Sequence, residues 1–114
     1  MTKTPIPGQP VRGSRSGVPV MALFDLLGRN WSMGILWNLS QGSPCSFRDL
    51  RDRCEMVSPT VLNERLKELR EAGLVETTED GYRVTPLGQE LYRHLVPMKN
   101  WASRWAREIN RREK

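Results

Sequence analysis

Residues 46–85 read SFRDLRDRCEMV (46–57), SPTVLNERLKELREAG (58–73) and LVETTEDGYRVT (74–85), and this run decides the fold. Ser46 stands three residues ahead of Asp49, a capping arrangement that opens a short helix with Phe47, Leu50 and Cys54 inward. Ser58 and Pro59 open a second helix, as N-cap and first helical residue, and Ala72-Gly73 closes it. Leu62, Leu66 and Leu69 fall at i, i+4 and i+7 and must face a core. Leu74–Thr78 and Tyr82–Thr85 then alternate as strands do, and Asp80-Gly81 between them is a hairpin signal because both residues tolerate positive φ. Two capped helices around a tight turn, followed by a hairpin, make the layout of a winged helix-turn-helix, which presents its second helix to the major groove of DNA.

Upstream, Trp31 to Ser40 is apolar at Met33, Ile35, Leu36, Trp37 and Leu39, too many sides for a surface helix, and so is expected in the core. Before it, Val20, Leu23, Phe24 and Leu27 recur at helical spacing from about Val18, with Pro19 in the first turn and Gly28 as the stop. Residues 1–17 are rich in Gly, Pro and Ser with no periodic apolar face, and are expected to form a flexible arm ahead of one domain spanning 18–114. Downstream, Thr85-Pro86 starts a last helical region. There Leu91, Leu95, Met98, Ala102, Trp105 and Ile109 step by four and three, the seam one helix offers another, and Pro97 predicts a kink or break.

At 114 residues the chain supports one domain, without room for a deep cleft between two lobes. No apolar run approaches the roughly 20 residues of a membrane span, and the N-terminus lacks the apolar segment of a secretory signal, so a cytoplasmic protein is expected. Cys45 and Cys54 form no CxxC pair and have no histidine nearby, and a cytosol would keep them reduced. With His94 the only histidine, neither a zinc site nor a nucleophile with base and orienting group is assembled, so neither an enzyme nor a cofactor is indicated. The formal charge of +5 favours a polyanionic partner. Residues 46–73 nonetheless balance six basic against six acidic side chains, and the surplus lies in Lys3, Arg12 and Arg15 and in Arg104, Arg107, Arg111, Arg112 and Lys114.

At 100° per residue the face of the 58–73 helix opposite the leucines carries Thr60, Glu64, Lys67 and Glu71, flanked by Asn63 and Glu68. Thr60 and Asn63 are the candidates for base contacts, since Asn pairs bidentately with adenine and Thr packs on a thymine methyl. Glu64 can accept from a cytosine amino group or pair with Lys67. Ser58, Arg65 and Lys67 at this helix and Arg83 on the wing are the candidates for the phosphate backbone, and Pro59, with Ser46 and Arg48 at the preceding helix, completes the set of candidate DNA-binding residues. Leu23, Leu95, Met98, Trp101, Ala102, Trp105 and Ile109 are the expected dimer seam, with the tryptophans as anchors. The alternative reading of the tryptophans is a ligand cage, which leaves an aromatic small-molecule effector pocket open at the junction of the first, second and last helices.

Leu26-Leu27-Gly28-Arg29-Asn30-Trp31, the S-F-x-x-L segment at Ser46, S-P-x-x-L-x-x-R-L-x-x-L from Ser58, Gly73-Leu74-Val75 and T-P-L-G at Thr85 together resemble the HxlR family of bacterial winged helix-turn-helix regulators, relatives of the MarR type. The similarity spans about Val18 to Trp105. It implies a mostly α fold with a small β-hairpin wing, a homodimer built by the first and last helices, and binding of double-stranded, pseudo-palindromic operator DNA, most simply as a repressor. Two positions depart from the pattern. Many sensing members carry a cysteine just before the Pro-Val that opens the first helix, where this chain has Val18. The wing, usually longer and basic near its tip, is short here, with Glu76, Glu79 and Asp80 against Arg83.

Two other readings remain open at this level. The neutral recognition unit and acidic wing suit a winged-helix protein-interaction module without DNA binding, and Cys45, just outside its helix and expected to be the more exposed cysteine, suits a thiol-based redox switch.

Overall fold

The structure, a computed structural model, describes residues 4–42 and 44–112. Lys3 of the expected arm and Glu113 and Lys114 of the C-terminal charge cluster lie outside them. Seven elements follow one another: α1 (Pro19–Leu27), α2 (Ser32–Ser40), α3 (Phe47–Arg53), α4 (Pro59–Glu71), β1 (Val75–Thr77), β2 (Tyr82–Val84) and α5 (Pro86–Arg112).

The ends of these elements follow from local chemistry. Ser46 Oγ accepts from the Asp49 amide and Ser58 Oγ from the Val61 amide, each at 3.1 Å, satisfying donors that α3 and α4 leave unpaired. At the other end of α4, the Leu74 amide donates to the Leu69 carbonyl at 2.9 Å and the Gly73 amide to Arg70 at 3.0 Å, with Gly73 at φ +80°. That is a Schellman closure, and it needs the left-handed residue that glycine supplies without a Cβ clash.

α2 lies at the centre and touches α1, α3, α4, α5 and β2. Its Ile35, Leu36 and Leu39 meet Leu26, Leu50, the Leu62/Leu66/Leu69 stripe of α4, and Leu74 and Val75 where the hairpin begins. Each leucine so buried contributes roughly 1.5–3 kcal/mol relative to exposure, enough to fix which side of α4 turns inward.

Several expectations are corrected. On α1 the row facing the core is Ala22 and Leu26; of the stripe that the spacing picked out, Leu23 and Leu27 are half-buried, Leu27 against the core, while Val20 and Phe24 face outward. Pro97 does not break α5, which runs without interruption for 27 residues. Proline removes a single amide donor there, and the surrounding turn is exposed, so water can serve the carbonyl one turn back.

The wing is shorter than the alternation suggested. β1 and β2 pair antiparallel with Val75 opposite Val84, Glu76 opposite Arg83 and Thr77 opposite Tyr82, and residues 78–81 form the loop, closed by the Thr78 amide on the Gly81 carbonyl at 2.7 Å. Gly81 is not in the left-handed region. It is needed because the chain at Cys45 runs against it: Cys45 and Tyr82 exchange both backbone hydrogen bonds at 2.9 Å, an isolated bridge that ties the start of α3 to the wing.

Residues 4–17, read as an arm, lie back on the helical body. A turn is closed by Val11 and Ser14, the Gly8 amide donates to Gly17 at 3.0 Å, Pro5 is buried, and the Arg12 amide donates to Asp25 Oδ2 at 3.1 Å. The prolines and glycines that remove helical periodicity also let this segment follow the surface of α1.

Candidate nucleic-acid interface

With its leucines inward, α4 presents Ser58, Pro59, Thr60, Asn63, Glu64, Lys67 and Glu71 to solvent. Thr60, Asn63, Glu64 and Lys67 lie on its first two and a half turns, the part that reaches base edges when a helix enters a groove N-terminus first. Ser58 and Ser46 are spent as N-caps. Their positions mark where the two helix N-termini come to the surface, with Arg48 exposed in the first turn of α3.

Glu68, placed at the flank of the polar face by helical geometry, turns inward instead, and Arg65, a phosphate candidate beside the leucine stripe, is drawn in with it. Glu68 is buried and takes Arg29 Nη1 at 2.5 Å and Arg65 Nη1 at 3.0 Å; Arg65 also donates Nε to the Asn30 carbonyl at 2.8 Å. Arg65 is therefore held within the protein rather than offered to a phosphate. Arg29 in turn stands 3.6 Å from Asp25, whose carboxylate also pairs with Arg12 at 3.2 Å. The pairing of Arg29 with Glu68 escapes a reading of the sequence because the two lie 39 residues apart and no local pattern joins them.

A second unforeseen feature is the turn into α4. Glu55 and Met56 stand at φ 56° and 61°, consecutive left-handed residues that are not glycine. Such positions cost about 1–3 kcal/mol each and persist only where neighbours enforce them. Here the Met56 amide donates to the Arg51 carbonyl at 2.9 Å and Arg51 Nε to the Val57 carbonyl at 2.8 Å, setting the angle between α3 and α4. Nothing in Glu-Met announces this conformation. On the wing, Arg83 is exposed but bonded through Nε to Glu76 at 2.6 Å, its partner across the hairpin.

Away from α4, the second half of α5 leaves the body. Met98, Trp101, Ala102 and Trp105 are exposed, Ile109 lies at the edge of exposure, and Leu95 and Leu23 are half-buried. Trp101 and Trp105 stack with centroids 6.0 Å apart and an interplanar angle of 9°. A cavity of about 290 Å³ opens between the N-terminal loop, α1 and the start of α5, walled by Pro5, Leu23, Leu26, Leu87 and Leu91 with His94 at its edge. Its walls are aliphatic, not the aromatic ones of a tryptophan cage, because Trp37 is occupied edge-on against Tyr92 (5.1 Å) and the other tryptophans lie outside its lining.

The sequence model of the HxlR-like helix-turn-helix matches residues 26–110. The chain belongs to the HxlR family. It is similar to the HTH-type transcriptional regulator YodB of Bacillus subtilis strain 168, 29% identical over 89 residues that cover 72% of this chain and 79% of YodB. The quinone-bound structure of YodB superposes with a TM-score of 0.69 at 33% identity, covering 75% of this chain and 96% of that one. A protein of Thermoplasma volcanium GSS1, described as a possible HxlR family transcriptional factor, gives a TM-score of 0.68 at 31% identity over 75% of this chain and 82% of its own. This HxlR chain is thus a helix-turn-helix transcriptional regulator, and its relatives are regulators rather than enzymes.

Within this HxlR fold the thiols are placed unlike a surface sensor. Cys45 is buried, at 3% exposure against 2% for Cys54, so its place outside α3 does not make it accessible; its bridge to Tyr82 draws it beneath the wing. Cys54 is buried as well. Burial pushes both thiols up; the nearby Arg53 opposes this only in part at Cys45, and Cys45 and Glu55 add to the rise at Cys54. A reactive cysteine needs the opposite setting, a stabilised thiolate with access to solvent. Among the described residues no helix is long and apolar enough to cross a membrane, and no cluster of three His, Cys, Asp or Glu could hold a metal ion.

Proposed function

We propose that this HxlR regulator is a cytoplasmic homodimer that occupies pseudo-palindromic operator DNA and represses the promoter beneath it. The observation that carries the reading is the division of α4. One side is locked into the core by three leucines and a buried carboxylate, and the other stands free with Thr60, Asn63, Glu64 and Lys67. Asn63 and Thr60 contact bases, Glu64 accepts from a base amino group, and Lys67 and Arg48 meet phosphates. Ser46, Ser58 and Pro59 serve by holding the helix N-termini at the surface, where their positive ends favour phosphate. Arg65 acts by positioning, and Arg83 reaches a phosphate only by leaving Glu76.

Dimerisation is supported by shape. The Cα radius of gyration is 15.5 Å against about 13 Å for a compact chain of this length, because α5 projects from the body. The projecting half carries an apolar strip with stacked tryptophans, costly to leave in water, and Val20 and Phe24 of α1 extend the uncovered apolar surface. A second copy packed along α5 and α1 covers it and sets two α4 helices about one DNA turn apart. The aliphatic cavity beside α1 is the proposed place for a small apolar effector.

The test is fluorescence anisotropy on duplexes from the intergenic region upstream of the gene and on a scrambled duplex, at two salt concentrations. Selective, salt-dependent binding is expected. Asn63→Ala should relax discrimination by roughly 1–3 kcal/mol at one base position. Absence of salt-dependent binding to any duplex would replace this reading with a protein-interaction module, and equal losses on operator and scrambled DNA would remove Asn63 from base reading.

A further inference from the structure

The ion chain behind α4 has a geometry that packing alone does not require. Between α4 and the turn that joins α1 to α2 run two bonds of opposite sense. Arg29 donates out of the turn to Glu68 at 2.5 Å, and Arg65 donates out of α4 to the Asn30 carbonyl at 2.8 Å. Both arginines meet on Glu68, one on each carboxylate oxygen, so this side chain is gripped from two directions. The far end of the chain is anchored by Asp25, which holds Arg29 at 3.6 Å and is itself held by the backbone amide and side chain of Arg12 in the N-terminal loop. The leucine stripe fixes which face of α4 is buried, but apolar contacts are not directional, so a small roll about the helix axis is what they constrain least. A crossed pair of directional, charge-assisted bonds resists it well.

We propose that Arg29, Glu68 and Arg65 form a positioning clamp that fixes the roll of α4 about its own axis, and that Arg12 makes the N-terminal loop the latch of that clamp. The inference rests on the reading of α4 as the DNA-contacting helix. The magnitude follows from helix dimensions: side-chain tips stand about 5–6 Å from the axis, so a roll of about 10° moves Asn63 by about 1 Å. A hydrogen bond of ordinary length does not survive that displacement. Base reading therefore depends on the clamp more than folding does, since buried ion pairs are often replaceable by apolar pairs of similar volume without loss of stability, and Asp25 keeps Arg12 as a partner.

The experiment separates these two roles. Arg29→Met combined with Glu68→Leu replaces the clamp by an apolar pair, and Arg12→Ala, on an exposed side chain, removes the ion-pair half of the latch and leaves its backbone amide bond to Asp25. Each is compared with wild type by thermal unfolding, by amide hydrogen exchange of residues 60–67 without DNA, and by anisotropy on operator and scrambled duplexes. The double variant is expected to unfold near the wild-type temperature, to exchange faster along the outer face of α4, and to lose about tenfold or more in its operator-to-scrambled ratio, the loss of roughly one base contact. Its affinity for scrambled DNA stays unchanged. Arg12→Ala should lower the ratio in the same direction by less. A double variant that folds and keeps its selectivity overturns the clamp, and an Arg12→Ala protein that weakens equally on both duplexes overturns the latch. A wild-type protein without selectivity overturns instead the reading of α4, and that result is seen before any variant is made.

Discussion

Replacing Gly81 by alanine tests why a glycine stands at the tip of the wing. An alanine Cβ there would lie 2.2 Å from the Cys45 carbonyl oxygen, 2.8 Å from its carbon and 2.8 Å from the Ser46 Cα, all backbone atoms that cannot swing aside. Ordinary contact needs about 3.5 Å, so the two segments must part by about 1 Å. At that separation both 2.9 Å hydrogen bonds between Cys45 and Tyr82 are lost, at about 0.5–1.5 kcal/mol each, and Cys45 loses part of its burial. The sum is about 2–4 kcal/mol. For a domain of this size that lowers Tm by about 10–20 °C, measured by thermal unfolding followed by far-UV circular dichroism.

The same substitution at Gly42, which has nothing within 4 Å of an added Cβ, serves as the control and should change Tm by no more than a degree or two. Gly81→Asn decides between the two explanations of the glycine. Asparagine tolerates a left-handed turn, so a need for positive φ would spare it, whereas close approach of the Cys45 strand makes it as damaging as alanine. A Gly81→Asn protein as stable as wild type would refute the reasoning.

Trp105→Ala removes one of two stacked indoles from the uncovered face of α5 and should move the protein from dimer toward monomer; an unchanged sedimentation profile would take Trp105 out of the interface. Lys67→Ala should weaken operator and scrambled duplexes alike and reduce the slope of log affinity against log salt by about 1, which anisotropy over a salt series reads directly. Because burial raises Cys45 and Cys54 above the ordinary value of 9.0, the folded protein keeps thiol protons that the unfolded chain gives up. That stability is complete below pH 9 and is lost as pH rises through the raised folded values, so urea midpoints between pH 8 and 10 should fall more steeply than those of a Cys45→Ala, Cys54→Ala protein.

Much of this molecule is legible in its residues because the signals are local. Ser46 and Ser58 cap the helices the sequence places after them, Gly73 closes α4 in a left-handed conformation, and three leucines at helical spacing choose its buried side. Capping, turn formation and amphipathic periodicity act over a few residues, and the exposed candidates Thr60, Asn63, Glu64 and Lys67 follow from them once the leucines are placed. The resemblance to the HxlR family, carried by short motifs spread from Leu26 to Thr85, agrees with that reading.

What local pattern could not supply was decided by contacts between distant segments. Glu68 sits at the flank of a polar face by angle alone and Arg65 beside the leucine stripe, yet Arg29 and Asn30 draw them inward from more than 30 residues away. Cys45 is buried and Gly81 obligatory for one reason, the bridge between the start of α3 and the wing, which no property of either segment announces. Pro97 reads as a break, but one missing amide on a solvent-facing turn does not outweigh the helix on either side. The sequence by itself determined which elements form and which face of each seeks the core, because backbone propensity and hydrophobic spacing are short-range. The tertiary structure alone decided which charges pair beneath α4, how deeply the thiols are buried and which glycine is a contact, because these depend on where chain segments far apart in sequence come to rest.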